Sequence, residues 1–338
     1  MTSPSVTISF GRLEGWELGV AGASELGTTT TLATYTYEDI TAPVTEFSIH
    51  RGRQHELDRI EAAVATLTLM NQDGAFTPTN TASPYYPDIR PMVPIKIIAE
   101  IAEPFDPNGI AGLSAWYDFS DPASLWEDTA RTDPVDVDTD IIKGVTDKSG
   151  DGHHLSEATD GPTYRTGIQN GLSVARFDGT NDKLTSINTL GPLAQPHTIF
   201  VVTMITSGAA SQFHVLDSSD GNRAAIHTPN TFQAALFAGS TITGTGSVRD
   251  STARVWTTIT NGASSKLYLN GGTANATGNA GSQSFGIPIV GYGNGGGNLW
   301  PGDVHEILIY SGALSLSDIN EIGNYLGTKW GITWTTAT

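Results

Sequence analysis

The chain has 338 residues, too many for one small core and enough for two domains. Its 35 acids against 17 bases give a net charge of −18, which excludes nucleic acid as a partner and disfavours an anionic membrane surface. Glycine is abundant at 38 and charged residues make up only 15%, a composition that points to many short strands joined by turns and not to a helical bundle. Cysteine is absent, so no disulfide staples the fold. No run of about 18 apolar residues occurs, so no membrane insertion is expected. Met1–Ser5 has neither a basic nor an apolar segment, so no secretory signal is expected there.

Period-two alternation marks strands at Val6–Phe10, within Thr28–Tyr37, at Val44–Ile49, over Ala63–Met70 and over Val93–Ile101. Asn71–Gly74 is a turn, and Ser83–Pro87 is stiff and extended. Arg51, Arg53 and Arg59 form a basic edge on an acidic protein, a candidate docking surface. Ala102–Gly109, with two prolines and two acids, interrupts the strand pattern and reads as a short linker. The expected division is therefore a small β domain over 1–105 and a larger one over 106–338.

In the larger domain, Leu113–Asp118 opens as a strand and Asp121–Asp140 is an acidic excursion. Leu172–Asp178, the polar turn Asp178–Asp182 and a returning strand from Leu184 read as a hairpin of a β-sandwich. Thr198–Thr203 is the most apolar strand and is expected to lie centrally. Further strands follow around 213–216, 223–227, 232–237, 255–260, 266–270, 288–291 and 304–310, at sandwich spacing. From Leu314 to Leu326 the period changes. Leu316, Ile319, Ile322 and Leu326 share one helical face, Ser315 with Asp318 caps its start, and Gly327 is expected to end it.

Two resemblances emerge. Asp39–Ile40–Thr41, Arg51–Gly52–Arg53, Glu56–Leu57–Asp58, Leu69–Gly74, Phe76–Thr77–Pro78, Ser83–Pro84–Tyr85 and Pro91–Ile95 resemble a module at the start of tailed-phage minor tail proteins. Ala62–Ala63 stand where that family often has glycine. Ala115–Asp118, Asp147–Gly152, Arg176–Asp182, Leu267–Gly271, Glu306–Tyr310 and Lys329–Gly331 resemble the concanavalin A-like, laminin G-like jelly rolls, over Leu113 to Ile332. The resemblances imply an all-β virion protein with one short C-terminal helix, placed at the tail tip and assembled in the host cytoplasm. Its expected partners are other tail proteins and a host-surface polysaccharide, in several copies set by the tail's symmetry.

Candidate sites follow. The glucanases of this fold carry their acids as Glu-x-Asp-x-x-Glu; that string is absent, and the expectation is a binding protein and not an enzyme, with a tail-borne glycan depolymerase or a purely structural tail module as alternatives. Gly112–Trp116 lacks the second glycine of a nucleophile elbow, and no His-Glu-x-x-His string occurs. The glycine loop 291–296 fits G-x-G-x-x-G but precedes no helix, so no dinucleotide is expected. Its neighbours Tyr292, Asn294 and Trp300 are the candidate sugar platform. No cofactor is expected. Calcium is the one ion that two oxygen-rich turns could hold: Asp147, Ser149 and Asp151, and Asp178, Asn181 and Asp182. The competing account is that these residues bond their own backbone. Asp136, Asp138, Asp140 and Asp147 have EF-hand spacing, but Ile141 stands where that loop needs glycine. His153 and His154 are adjacent on an extended chain and are not expected to share an ion.

Overall fold

A computed structural model describes residues 5–14, 34–50, 64–90, 93, 95–100, 105–205 and 211–338. Contacts divide the chain into two compact units, Met1–Pro104 and Phe105–Thr338.

In the first unit, Ser5–Glu14 lies between Thr34–Asp39 and Ile95–Glu100 in a three-stranded antiparallel sheet. Val44–His50 pairs with Val64–Leu69 in a separate ribbon. The long connection after it is ordered by its own polar side chains. Asn71 accepts the N–H of Phe76 at 2.8 Å, and Asn80 donates to the Gly74 carbonyl at 3.0 Å. The core of this unit is thin: among the described residues its fully buried members are Ile8 and Ile40. Tyr37, Phe47, Met70, Tyr86 and Ile95 are exposed.

The second unit is an all-β sandwich. One sheet runs in the order Thr163–Gln169, Leu172–Asp178, Pro301–Ser311, His197–Ile205, Arg254–Thr260, Ser265–Leu269, Ala276–Gly278, with Leu113–Asp118 also paired to Pro301–Ser311. The other runs Thr241–Thr243, Ala235–Phe237, Ala225–Thr228, Phe213–Ser218, Pro288–Val290, Leu184–Ser186, Leu155–Ser156, Gly144–Val145, Leu125–Trp126. Alternate residues of each strand meet between the sheets: Tyr117, Phe177, Val201, Trp256, Val215 and Trp300 belong to one buried core. The residues in between face outward. On the first sheet, Phe200, Val202, Leu308 and Tyr310 are covered by Ile319, Ile322, Leu326 and Trp330 of the C-terminal helix.

The strand His197–Ile205 is central, between Pro301–Ser311 and Arg254–Thr260, and is buried throughout except at Met204. The expected hairpin at 172–184 is corrected. Leu172–Asp178 pairs back to Thr163–Gln169, whereas Leu184–Ser186 belongs to the opposite sheet. The Asp178–Asp182 turn therefore carries the chain across the core. Phe177 fills that step: a Cβ on Gly291 would meet its ring at 2.3 Å.

The helix spans Leu316–Trp330 and passes through Gly327. Ser315 caps it as the spacing predicts, accepting the Asp318 N–H at 3.2 Å. Gly327 serves a different purpose from a stop: a Cβ there would meet the Ile332 carbonyl at 2.7 Å, so the glycine admits the returning tail. Gly331, at φ +66°, ends the helix.

Candidate functional site

The register of the second sheet assembles a rim from three distant segments. Leu184 pairs with Val290, so Lys183, one position beyond, and Tyr292, two positions beyond on the other strand, come near each other. Ser156 pairs with Thr185, which brings Glu157 and Asp160 to the same edge. Lys183 Nζ lies 3.3 Å from Glu157 Oε2, 3.3 Å from Asp160 Oδ2 and 5.9 Å from the centre of the Tyr292 ring. Asn181 Nδ2 donates to Asp160 Oδ1 at 2.7 Å. Tyr292 is half-buried, and Asn181 is exposed.

The glycine loop that carries Tyr292 is tightly anchored. Trp300 N–H donates to the Gly291 carbonyl at 2.9 Å and Gly293 N–H to the Gly297 carbonyl at 3.3 Å. Asn294 donates its N–H to Asp217 Oδ2 at 2.9 Å, and its side-chain amide donates to the carbonyls of Ser218 and Asp220. Gly293 is closely packed: a Cβ would lie 3.0 Å from Asn298 Cβ and 3.2 Å from the His214 ring.

The rim carries mixed protonation. Burial raises the Glu157 carboxyl, but the Thr159 N–H and the Lys183 ammonium outweigh it and hold it below the usual range. The Thr159 hydroxyl lowers Asp160, despite its own partial burial. Asp182 differs. Burial and the charges of Asp178 and Asp160 push it up to about 6, although the Asp178 N–H donates to it at 2.8 Å. One carboxyl pushed up toward neutrality thus sits near two, Glu157 and Asp160, held below their usual range.

The expected sugar platform is only partly present. Tyr292 is at the rim. The Asn294 side chain is spent on the loop's own anchorage. Trp300 is corrected: it is fully buried, edge-on to Trp256 at 6.1 Å, and cannot offer a face to a ligand. Lys183, Glu157 and Asp160 were not singled out, since nothing in the local sequence places them beside a tyrosine more than a hundred positions away.

The two oxygen-rich turns lie at opposite ends of Leu155–Ser156 and Leu184–Ser186. Asp147 accepts from the N–H groups of Trp116, Ser149 and His153 and from the Ser149 hydroxyl, all within 2.9 Å. Ser149 in turn accepts the Asp151 N–H at 3.2 Å. Asp178 accepts from Thr180 and Asn181 N–H, at 2.7 and 3.3 Å. His154 Nδ1 accepts the Asp147 N–H at 3.0 Å, and His153 presents its backbone N–H, not its ring, to that turn. Among the described residues, the acids close enough to share a cation are Glu127, Asp136 and Asp140, with ligand atoms all within 4.8 Å of one another. Arg51, Arg53 and Arg59 lie outside the described residues.

Glu306 and Asp118, cross-strand neighbours on the helix-covered sheet, are a second pair of acids set side by side. They lie under the helix and not in an open groove, with Lys329 at 2.8 Å from each.

No protein-family model matches the sequence. No curated protein matches it. Solved structures do. Domain 4 of AbnA, a GH43 extracellular arabinanase from Geobacillus stearothermophilus, in complex with arabinotriose, is 15% identical at a TM-score of 0.45, over 63% of this chain and 98% of that one. Trypanosoma rangeli sialidase in complex with sialic acid is 14% identical at 0.44, over 69% of this chain and 36% of the sialidase. An arabinofuranosidase complexed with arabinofuranosyl-α-1,2-xylobiose is 13% identical at 0.43, over 56% and 51%. These neighbours are carbohydrate-active proteins, and likeness at this level assigns neither activity nor ligand to the present chain. The expectation of a protein without enzymatic activity is corrected: it rested on one missing string, and proteins named as glycosidases are among these neighbours. The missing Glu-x-Asp-x-x-Glu string excludes one strand arrangement of acids and nothing wider.

Proposed function

We propose that the second unit recognises a polysaccharide at the rim formed by Tyr292, Lys183, Glu157, Asp160 and Asn181. The observation that carries this reading is the half-buried Tyr292 ring bordered by charged and amide groups that can bond sugar hydroxyls. An aromatic face covers the apolar side of a sugar ring, and the polar atoms around it fix orientation. The single lysine is already matched by Glu157 and Asp160, so the rim favours neutral or amino sugars over uronates and sialates. Weak single-site binding is offset by several copies acting together.

The same rim supports a second reading, cleavage of the bound glycan. Asp182, pushed up to about 6 and fixed by the Asp178 N–H at 2.8 Å, is the candidate acid, and Asp160, held below its usual range, is the candidate base. Incubation of the full chain with purified cell-wall polysaccharide separates the outcomes. Retention without shortening supports recognition alone, shortening lost in Asp182→Asn supports cleavage, and neither result rejects the site.

The first unit is read as the mount. Its resemblance to phage minor tail modules, its thin core and its exposed Tyr37, Phe47, Met70, Tyr86 and Ile95 support docking into a tail tip. In this reading the protein assembles in the host cytoplasm and works on the virion. A particle reconstruction that finds the chain elsewhere, or not at all, rejects this half of the proposal and leaves the glycan site standing.

A further inference from the structure

The polar cluster beneath the C-terminal helix plays no part in the glycan rim. Lys329, in the last turn of that helix, places Nζ 2.8 Å from Asp118 Oδ2 and 2.8 Å from Glu306 Oε2. Register sets the two acids side by side, since Glu306 pairs with Asp118. Aromatic groups close the cluster. Glu306 accepts from the indoles of Trp116 and Trp330 at 2.8 and 2.9 Å and from the Tyr325 hydroxyl at 2.8 Å. The side chains of Glu306, Asp118 and Lys329 are only 0%, 6% and 18% exposed. A second ammonium, Lys148, reaches the same Asp118 oxygen at 3.1 Å while held by Asp121 at 2.7 Å. The other Asp118 oxygen accepts from the Ser120 N–H and hydroxyl, at 3.1 and 2.7 Å.

We propose that Lys329 and Asp118 become joined by an intramolecular amide bond, formed in the folded protein with Glu306 as the proton carrier. The Lys329 ammonium hands a proton to Glu306, which passes it to one Asp118 oxygen and makes that carboxyl neutral. The freed amine pair attacks Asp118 Cγ and a C–N bond forms. Lys148 and the two Ser120 donors are already aimed at the oxygens on which negative charge builds. Glu306 carries the second proton shed by the nitrogen to the oxygen that holds the first, the C–O bond breaks, and water leaves. An ammonium and a carboxylate become one amide and one water, with no oxidant, cofactor or second protein.

The site supplies what the reaction lacks in solution. Burial raises the Glu306 carboxyl and readies it to take a proton, while the Lys329 and Lys148 ammoniums outweigh burial at Asp118 and hold it below the usual range. The reacting groups are held in contact, so the step is intramolecular. Both ends are fixed to ordered elements, one at the end of the strand Leu113–Asp118 paired to Pro301–Ser311 and one on the packed helix. The bond would close nearly all of the second unit into one loop and restrict its unfolded ensemble, as a disulfide does, in a chain that has no cysteine.

The test is the intact mass of the denatured full chain. The expected mass is that of the sequence less one water, with a branched tryptic peptide joining the segments around Asp118 and Lys329. Glu306→Gln keeps both partners and is expected to show the full sequence mass, as is Lys329→Arg. A wild-type mass equal to that of the sequence overturns the proposal, whatever the variants do. So does a missing water that persists in Lys329→Arg.

Discussion

Asn294 donates its backbone N–H to Asp217 Oδ2 at 2.9 Å, which ties the glycine loop to the outer face of the second sheet. The same carboxylate takes two bonds from Arg223, at 2.6 and 3.1 Å, and lies 3.1 Å from His214 Nδ1. Burial alone would raise Asp217; His214, Arg223 and the Asn294 N–H together drive it far below the usual range.

Removing this carboxylate leaves Arg223 and the loop amide without their partner. Asp217→Ala is expected to lower unfolding stability by about 3 kcal/mol, toward the lower end for a broken buried pair because Arg223 is 26% exposed. Chemical denaturation measures it. A loss well under 1 kcal/mol, roughly that of an exposed ion pair, would mean that the anchor is not structural.

Acid stability should fall in two stages. Burial lowers His197 and His305 to about 4 and His227 to about 3, with the charge of His214 adding to the last. Between their unfolded value near 6.5 and these folded values, the unfolded chain binds more protons, so stability declines as pH falls through that window. Each histidine contributes roughly 3 kcal/mol of loss by pH 4. Asp217 acts later: its contribution is present above the unfolded carboxylate range near 4 and disappears as pH falls below it. Melting temperature measured from pH 7 to pH 3 should show the first decline beginning near pH 6.5. A flat profile down to pH 4.5 contradicts the buried neutral histidines.

Gly323 and Trp334 give a test of the helix. A Cβ on Gly323 would lie 2.1 Å from the Trp334 ring, whose indole donates to Asn320 at 3.0 Å. Alanine normally improves a helix interior by about 1 kcal/mol. Here Gly323→Ala is expected to destabilise by about 1–3 kcal/mol through overpacking. A rise in melting temperature would show that the tail does not pack on the helix.

Trp300 separates core from rim. Trp300→Ala is expected to cost about 3–5 kcal/mol, as for other fully buried aromatic side chains, and to lower the melting temperature sharply. Unchanged stability with lost sugar binding would restore Trp300 as a platform and displace the assignment made to Tyr292.

Much of the fold could be read from alternation. Leu113–Asp118, the central strand, the capped helix start and the sandwich itself follow from period, turn residues and a serine three places before an aspartate. The failures share one cause. The turn at Asp178–Asp182 looks like a hairpin, but local sequence does not say whether the next strand pairs beside the last or across the core. Gly327 looks like a stop because the Ile332 carbonyl that requires it lies on a returning segment. The rim was half legible. Tyr292 was visible as an aromatic in a glycine loop, whereas Lys183, Glu157 and Asp160 join it only through the pairings of Leu184 with Val290 and Ser156 with Thr185. Trp300 looked equally available until the core was filled around it.

The central claim is that the Tyr292 rim holds a glycan, and calorimetric titration of the full chain with purified host cell-wall polysaccharide tests it most directly. The account predicts saturable binding that Tyr292→Ala weakens about tenfold, the worth of one aromatic contact, with melting temperature unchanged. Equal binding by the wild type and Tyr292→Ala, or no heat of binding from either, would contradict it.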